Sequence, residues 1–370
     1  MGFLEFIYYA FIAVVVIQII LYIFIFRKFA FKQEQKPSFK SIPISVIICA
    51  KNEAKNLKRF LPSIIEQEYP DFEIVLINDS SNDETLEVME TFAKLYKNIR
   101  LVNVKNIEAF WGNKKYALTL GIKASKHQHL LFTDADCKPA SKYWLQHMAS
   151  HFSDKTPIVL GYGSYAKIPK SLLNKLVRFE TLTTAANYFS MALVGMPYMG
   201  VGRNLAYSKE VFFKANGFIK HMKVRSGDDD LFINQVATNN NTAICVSNNS
   251  FTISTPKTTF KTWFKQKRRH ISTAKHYKLK HQMILTLLYT SNLLFWVLAL
   301  GLLTALFNWK IVLTLFLVRI SIQYVIFGRI SKKLNENDLL FLLPVLECFL
   351  ILVQMFIFIN NLISKPKHWN

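Results

Sequence analysis

The chain has 370 residues, of which 51% are hydrophobic and 19% are charged, and its formal net charge is +22. This composition excludes an ordinary soluble enzyme and also a chain embedded in the membrane throughout, so we predict one soluble domain with membrane segments. The basic excess implies an acidic partner, which is a phosphate-rich ligand, an anionic lipid surface or a nucleic acid.

The first predicted element is a membrane anchor. Residues 3–26 are apolar and long enough to cross a hydrocarbon core of about 30 Å. No small-residue cleavage site follows, so we expect a retained anchor over residues 1–28. Four basic residues follow between positions 27 and 36, and the positive-inside rule then places the next domain in the cytoplasm at the cell membrane. Four widely spaced cysteines fit reduced cytoplasmic thiols.

The sequence pattern of residues 42–255 predicts an α/β domain with a mostly parallel sheet. Apolar runs without polar alternation are separated by helical patterns, which is typical of a sheet covered on both faces. The glycine-rich loops of nicotinamide dehydrogenases and P-loop NTPases are absent from the sequence, so we expect neither class. Strands are expected at the start of 44–70 and at 73–79, 100–105 and 129–133, and helices at the end of 44–70 and at 83–96 and 113–125.

Acidic residues follow the predicted strands. Asp134 and Asp136 lie one residue apart at the end of 129–133, where both carboxylates can approach one cation from the same side. Hard divalent cations such as Mg²⁺ or Mn²⁺ prefer oxygen ligands and bridge carboxylates to phosphate oxygens. Glu53 and Asp79 occupy equivalent places after the first two strands, and carboxylates there suit ribose hydroxyls or base N–H groups. On spacing alone, a solvated Asp-x-Asp turn is the alternative.

A second acidic cluster, Asp228, Asp229 and Asp230, begins a predicted helix. Acidic residues in a first turn stabilise the helix dipole, which explains one of the three. Three adjacent acids repel one another, so at least one should have a raised pKa, as suits a general base.

The C-terminal third is predicted to be associated with the membrane. Residues 256–282 are basic and aromatic, as in a helix lying in the membrane interface, although Gln266, Arg269 and His270 can instead face a diphosphate. Residues 283–364 contain three apolar stretches, which predict about three transmembrane helices. The last stretch would leave a tail with two lysines outside the cell. Either this tail is an exception to the positive-inside rule, or one stretch is interfacial or re-entrant.

Seven stretches, taken together and in this order, resemble the membrane glycosyltransferases of family 2, both processive and non-processive. They are ISVIICAKNEAKNL (44–57), VLINDSSNDET (75–85), NKKYAL (113–118), FTDADC (132–137), MGVGRNLAYSKEVFFKANGF (199–218), SGDDDLF (226–232) and QKRRH (266–270). The resemblance implies a GT-A-type, Rossmann-like cytoplasmic domain with one N-terminal and about three C-terminal transmembrane helices.

The resemblance also implies roles for single residues. Ala50, Asn52 and Glu53 would line the nucleotide pocket, Asp79 would contact the uracil or ribose, and Lys114 would approach the nucleotide or its phosphates. Asp134 and Asp136 match the D-x-D motif, with Asp136 as the direct metal ligand. Asp228 and Asp229 match the acidic pair that supplies the catalytic base, for which we favour Asp229, while the adjacent Asp230 leaves the choice of carboxylate open. Gln266 and Arg269 match Q-x-x-R-W, in which His270 replaces the tryptophan.

The implied activity is an inverting transfer of a sugar from a nucleotide-diphosphate donor, by family habit linked to UDP. The acceptor would be a lipid, a lipid-linked glycan or a polysaccharide at the cytoplasmic membrane face, with Mg²⁺ or Mn²⁺ as cofactor. Membrane lipids are expected partners and nucleic acid is not. Two other readings stay open at this point: a metal-dependent membrane nucleotidyl- or phosphotransferase, and a basic membrane scaffold without enzymatic activity.

Overall fold

The computed structural model describes residues 2–33, 41–105, 114–224 and 226–364, so Asn113 of the predicted third helix lies outside the described residues. The chain forms two compact units. The α/β unit comprises residues 34–169 and 197–257, and the helical unit comprises residues 1–33, 170–196 and 258–370.

The strands are short except in the first half of the α/β unit. They are β1 (Ile44–Ala50), β2 (Phe72–Asp79), β3 (Ile99–Val104), β4 (His129–Asp134), β5 (Cys137–Pro139), β6 (Ile158–Leu160), β7 (Gly163–Tyr165), β8 (Leu205–Ser208), β9 (Thr242–Ile244) and β10 (Thr252–Ser254).

Thirteen α-helices occur in the described residues. They are α1 (Phe3–Leu21), α2 (Arg27–Ala30), α3 (Ala54–Ile65), α4 (Thr85–Leu95), α5 (Lys114–Ala124), α6 (Trp144–Ala149), α7 (Leu172–Leu193), α8 (Lys209–Lys214), α9 (Asp230–Val236), α10 (Phe260–Ile271), α11 (Leu279–Thr304), α12 (Trp309–Lys333) and α13 (Leu343–Ile363). A π-helical stretch, Tyr22–Phe26, joins α1 to α2, and a 3₁₀ stretch, Asn337–Leu342, precedes α13.

The main sheet of the α/β unit has seven strands in the order β3-β2-β1-β4-β8-β6-β9. Strands β1 to β4 are mutually parallel, and β8 pairs antiparallel with β4 and β6. The side chains of β1 and β2 are almost all buried, because helices cover both faces. The structure therefore confirms the predicted mostly parallel α/β fold, with strand ends within one residue or so of the expected ones.

Helices α3 and α5 pack closely on this sheet. On α3, Leu57, Leu61 and Ile64 share one buried face at helical spacing. On α5, a Cβ atom on Gly121 would lie 2.1 Å from the side chain of Ile77, so only glycine permits this close approach to β2. The contact fixes the position of α5 and hence of Lys114 at its first residue.

A second sheet has three strands in the order β5-β10-β7. Its strand β5 directly follows the D-x-D segment in the sequence. Strand β10 pairs antiparallel with β5 and parallel with β7. These strands have three residues each, too few for an alternating pattern, so the sequence did not predict them. Pairing of Cys137 with Ser254 holds the backbone immediately after Asp136.

The helical unit contains four helical segments that are long and apolar enough to cross a membrane: Phe3–Ala30, Leu279–Thr304, Trp309–Lys333 and Asn337–Ile363. They match the predicted anchor and the three predicted C-terminal stretches. Within the unit, Phe11 and Val15 of α1 pack with Phe295 of α11 and Val312 of α12. Helix α7, which lies within the range predicted for the α/β domain, clusters with this unit instead.

A buried polar network joins the four apolar helices. The guanidinium of Arg319 is fully buried and lies 2.8 Å from the Glu347 carboxylate. It also donates to Gln18 Oε1 at 2.7 Å and to Asn292 Oδ1 at 3.1 Å. A charge among apolar helices is costly unless it is paired and hydrogen-bonded, and this network supplies both.

Candidate active site

The D-x-D carboxylates lie where β4 ends. Asp134 is the last residue of β4, and Asp136 comes just before β5. One ligand atom each from Asp134, Asp136 and Cys137 lies within 4.8 Å of the others. Burial, and then the charge of Asp134, raise the pKa of Asp136. A positive charge nearby would therefore stabilise the ionised form of both carboxylates.

The chemistry of these three groups fits a hard divalent cation. The Cys137 thiol is buried, lies 2.9 Å from Ser254 Oγ, and has a pKa well above its usual range because of burial and the two aspartates. It therefore stays a neutral thiol, which is a poor ligand for a hard ion. Two carboxylates remain, which are the ligands that Mg²⁺ and Mn²⁺ prefer. Both predicted metal residues are thus placed where they can share one ion.

Lys114 links the two acidic motifs. Its Nζ atom lies 2.9 Å from Asp134 Oδ1 and 3.2 Å from Asp228 Oδ2. Burial disfavours the ammonium, but Asp134 and Asp228 outweigh this effect and hold the pKa of Lys114 well above its usual value. Lys114 is therefore a fixed positive charge between the strand-end pair and the second acidic cluster.

Asp229 is held by backbone amides on both carboxylate oxygens. The Gly202 amide donates to Oδ2 at 2.7 Å, and the Asp230 amide donates to Oδ1 at 2.8 Å. Burial, and then the charges of Asp228 and Asp230, raise the pKa of Asp229 to about 7. A carboxylate that changes charge near neutral pH is suited to remove a proton from a hydroxyl. Its neighbour Asp230 is buried and accepts from the Leu231 amide in the first turn of α9.

Asp134 of the D-x-D motif shares one pocket with Asp228 and Asp229, whereas Asp136 is not among the residues that line it. Lys114, Asp134, Asp228 and Asp229 line it together with Gly202 and apolar side chains of β1, β4 and β8. Because the pocket lies at the carboxyl ends of parallel strands, it occupies the usual ligand crevice of an open α/β sheet.

The predicted nucleotide residues lie at the carboxyl ends of β1 and β2. Ala50 ends β1 and is in register with Asn78 next to Asp79, the last residue of β2. Asn52 has a φ of 57° and its Oδ1 accepts from the Asn82 amide at 2.8 Å, which ties the two strand-end loops together. Burial raises the pKa of Asp79.

Glu53 follows the same β1 loop. Its amide donates to Thr85 Oγ1 at 2.8 Å, and its carboxylate accepts from the Asn56 amide group at 2.6 Å. Burial raises the pKa of Glu53, an effect that the Asn56 hydrogen bond opposes.

Gln266, Arg269 and His270 lie on α10 in the helical unit. Helix α10 is capped at its N-terminus by Thr259, whose side chain accepts from the Thr262 amide, and it carries basic residues in its last turn. The Oε1 atom of Gln266 is buried and has no hydrogen-bond partner among the described residues. The role of these three side chains at a diphosphate stays a prediction from the family resemblance.

Two further residues at the site escaped the sequence analysis. Arg203 stacks on the Tyr165 ring at 4.2 Å and donates to Ser164 O and Ser254 Oγ, both at 3.2 Å. Its charge lowers the pKa of Asp136, against the larger effects of burial and Asp134. The only sequence signal was its place directly after Gly202, in the stretch 199–218 that resembles the family.

The other missed residue is Lys115, which is 1% exposed. Its Nζ atom donates to the carbonyl oxygens of His221, Val224 and Ser226, each at 2.8 Å. These bonds hold the segment that leads into Asp228. Adjacent residues on a helix point in directions about 100° apart, so Lys114 and Lys115 serve different sites, but nothing in the sequence marked the second one.

The mostly parallel sheet with its site at the strand ends is a GT-A-type fold. The structure of the mannosyltransferase PcManGT from Pyrobaculum calidifontis, solved in complex with GDP-Man and Mn²⁺, matches 90% of this chain and 98% of its own at a TM-score of 0.60 and 17% identity. Residues 45–213 match the model of Glycosyl transferase family 2. The stretch 45–213, which lies mainly in the α/β unit, is therefore similar to glycosyltransferase family 2.

Curated relatives agree with the family. A poly-beta-1,6-N-acetyl-D-glucosamine synthase of Staphylococcus epidermidis is 34% identical over 93 residues, which cover 25% of this chain and 21% of the synthase. A 4,4'-diaponeurosporenoate glycosyltransferase of Staphylococcus haemolyticus is 36% identical over 104 residues, or 28% of this chain and 26% of that enzyme. The chain spans about a third or less of the length of the curated relatives it matches.

Proposed function

We propose that this protein transfers a sugar from a nucleotide-diphosphate donor to an acceptor hydroxyl at a membrane surface, with inversion at the anomeric carbon. One observation carries the proposal: Lys114 bridges Asp134 and Asp228, and Asp229 lines the same pocket. A group suited to the donor's phosphates and a group suited to the acceptor's proton are thus within reach of one substrate.

The donor side uses the strand ends. Ala50, Asn52, Glu53 and Asp79 are proposed to bind the nucleoside, and Asp136 with Asp134 would hold Mg²⁺ or Mn²⁺. When bound, the cation supplies Lewis-acid assistance by offsetting the negative charge of the diphosphate. Lys114 adds a fixed positive charge for the same group. We expect uridine diphosphate as the carrier, by family habit. GDP-Man in the PcManGT structure supports a nucleotide-diphosphate sugar as the class of donor, so the test also includes GDP-sugars.

The acceptor side uses Asp229. Its carboxylate takes the proton of an acceptor hydroxyl while the hydroxyl oxygen forms a bond to the anomeric carbon. The bond from that carbon to the β-phosphate oxygen breaks on the opposite face, and its electron pair leaves with the nucleoside diphosphate. Two backbone donors fix Asp229, and its pKa of about 7 leaves about half of the carboxylate deprotonated and able to accept a proton at neutral pH.

We further propose that the acceptor is a lipid or a lipid-linked glycan at the cytoplasmic face of the cell membrane. Four apolar helices in the same chain support a membrane-bound acceptor. The relative named for 4,4'-diaponeurosporenoate acts, by its name, on a lipid, whereas the relative named for poly-N-acetylglucosamine makes a polysaccharide. Four candidate spans are few for a polymer tunnel, so we favour the lipid acceptor.

The test is a donor panel. Detergent-purified protein is incubated with UDP- and GDP-sugars, Mn²⁺ or Mg²⁺ and extracted membrane lipids, and the released nucleotide and the lipid products are analysed. We expect one donor to be used, a free nucleoside diphosphate to appear, and the label to enter a lipid. Release of a nucleoside monophosphate or pyrophosphate would contradict sugar transfer, and labelling of a long glycan without lipid would contradict the acceptor.

A further inference from the structure

The last apolar segment, Asn337–Ile363, has both ends tied to the same group of helices. Where the segment begins, Glu336 and Asp338 accept hydrogen bonds from Arg178 of α7, at 2.8 Å from Nε to Glu336 Oε2 and 2.8 Å from Nη1 to Asp338 Oδ2. At the other end, Arg268 of α10 donates to Asn361 Oδ1 at 2.9 Å and to the Asn360 carbonyl at 3.0 Å.

Helices α7 and α10 lie on one side of the membrane. Lys267 of α10 pairs with Glu180 of α7 at 2.5 Å. Neither helix is among the four candidate spans, and the chain runs from the α/β unit into α7 and back again. Phe189 of α7 also contacts Phe29, which follows the basic pair Arg27 and Lys28 at the end of the anchor. This side is therefore the one on which the anchor ends and from which the chain continues into the α/β domain.

The middle of the segment lies deep among the other membrane helices. Glu347 pairs with Arg319, which is 14 residues before Lys333 at the end of α12. At 1.5 Å per residue that is a depth of about 20 Å, roughly two thirds of a hydrocarbon core. The 3₁₀ stretch Asn337–Leu342 covers part of this distance alongside α12, where Leu340 approaches Gly328.

From this depth α13 runs back. Trp296 donates to Glu347 at 3.0 Å, whereas the Tyr289 hydroxyl donates to the Ile351 carbonyl at 3.4 Å. The later residue of α13 thus contacts the earlier residue of α11, so the two helices are antiparallel here. Because α11 leaves the α/β side at Leu279, α13 returns toward that side, where Phe349 contacts Phe260 of α10.

We infer that Asn337–Ile363 is a re-entrant segment that enters and leaves the membrane on the side of the α/β domain, and that its outer face binds the acyl chains of that leaflet. The chain then crosses the membrane three times, through α1, α11 and α12. The residues that would contact acyl chains are exposed, apolar and spaced as one helical face: Phe349, Leu352, Phe356, Ile359 and Ile363. Their opposite face, with Leu346, Leu350, Val353 and Ile357, is buried in the unit.

This topology resolves the conflict over the C-terminal lysines. A segment that returns places Ser364 on the same side as Arg27 and Lys28 after the anchor, and Lys365 and Lys367 follow Ser364 directly in the sequence. The positive-inside rule then holds for the whole chain. The inference rests on contacts within the helical unit and on the order of the chain, and not on the proposed reaction, so it stands or falls independently of that reaction.

Cysteine accessibility tests it. Single cysteines at Asn370→Cys, Lys32→Cys and Asn308→Cys, in a chain whose four native cysteines are replaced by alanine, are labelled in intact and permeabilised cells with a membrane-impermeant maleimide. We expect Asn370→Cys to match Lys32→Cys on the domain side and to differ from Asn308→Cys between α11 and α12. Labelling of Asn370→Cys like Asn308→Cys would overturn the inference. If the cysteine-free chain is not produced, protease access to an epitope tag after Asn370 in the native chain gives the same two outcomes.

A nitroxide on Phe356→Cys tests the lipid contact in vesicles of phosphatidylethanolamine and phosphatidylglycerol, with Leu350→Cys as the buried control. Acyl contact predicts that collisions with oxygen exceed those with a water-soluble nickel complex at position 356, while position 350 is shielded from both. A higher collision rate with nickel at position 356 would show an aqueous face and overturn the proposed surface.

Discussion

The backbone amide of Gly202 donates a 2.7 Å hydrogen bond to Oδ2 of Asp229. A Cβ atom at position 202 would lie 3.3 Å from that oxygen, closer than a Cβ atom usually lies to its neighbours. The glycine therefore sets how near the loop before β8 can approach the proposed base, and it joins the glycine-rich stretch to the second acidic cluster.

Gly202→Ala should lower the turnover rate by about tenfold or more, because small displacements of a catalytic group cost large factors in rate. Donor affinity should change little. The matched control is Gly301→Ala on α11, where an added Cβ meets nothing within 4 Å among the described residues. Equal rates for both variants would show that the approach to Asp229 is not required.

The first half of the fold was predictable because β1, β2 and β4 are continuous apolar runs that can be recognised in the sequence by their length and spacing. Their ends also predicted the places of Asp79, Asp134 and Asp136. The bridge from Lys114 to Asp228 was not predictable, since it joins residues 114 apart in number through the packing of α5 on the sheet. The direction of α13 was hidden for a related reason: apolarity indicates that a helix meets lipid but not which way it runs.

Activity should depend on pH through Asp229. Its pKa is raised to about 7, and only the deprotonated form can accept the hydroxyl proton, so kcat/KM should fall as pH drops below about 7. Stability should show the opposite trend. The unfolded carboxyl ionises near pH 4, so ionisation costs the folded state stability as pH rises from about 4 to 7. Thermal unfolding at pH 5 and pH 8 measures this, and the difference should shrink in Asp229→Asn.

Lys115→Met should destabilise the α/β unit by about 2–4 kcal/mol, because three buried carbonyl groups lose a charged donor. Turnover should fall as well, since the segment before Asp228 loses its attachment. Lys123→Met, in the exposed last turn of the same helix, is the control and should have little effect. Thermal unfolding and turnover measured on both variants test this. A Lys115→Met chain as stable as Lys123→Met would disprove that the Lys115 hydrogen bonds hold this segment.

Metal dependence should reside in the D-x-D carboxylates and not in the neighbouring thiol. Asp136→Asn should raise the Mn²⁺ concentration needed for half-maximal activity by about tenfold or more, as it removes one of two charged oxygen ligands. Cys137→Ser should leave that concentration unchanged, because a buried neutral thiol is not a ligand for a hard ion. A titration of activity against Mn²⁺ after chelation separates the two, and a large effect of Cys137→Ser alone would refute the assignment.

The most direct test measures both the donor affinity and the transfer rate of Asp229→Asn. The exposed Asp154→Asn is the matched control. We predict that Asp229→Asn binds the nucleotide-sugar donor as the parent does, while its transfer rate falls by about 10²–10⁴-fold, the usual cost of losing a general base. Asp154→Asn should behave as the parent in both. Transfer at the parental rate by Asp229→Asn would contradict the central claim that this carboxylate takes the acceptor's proton.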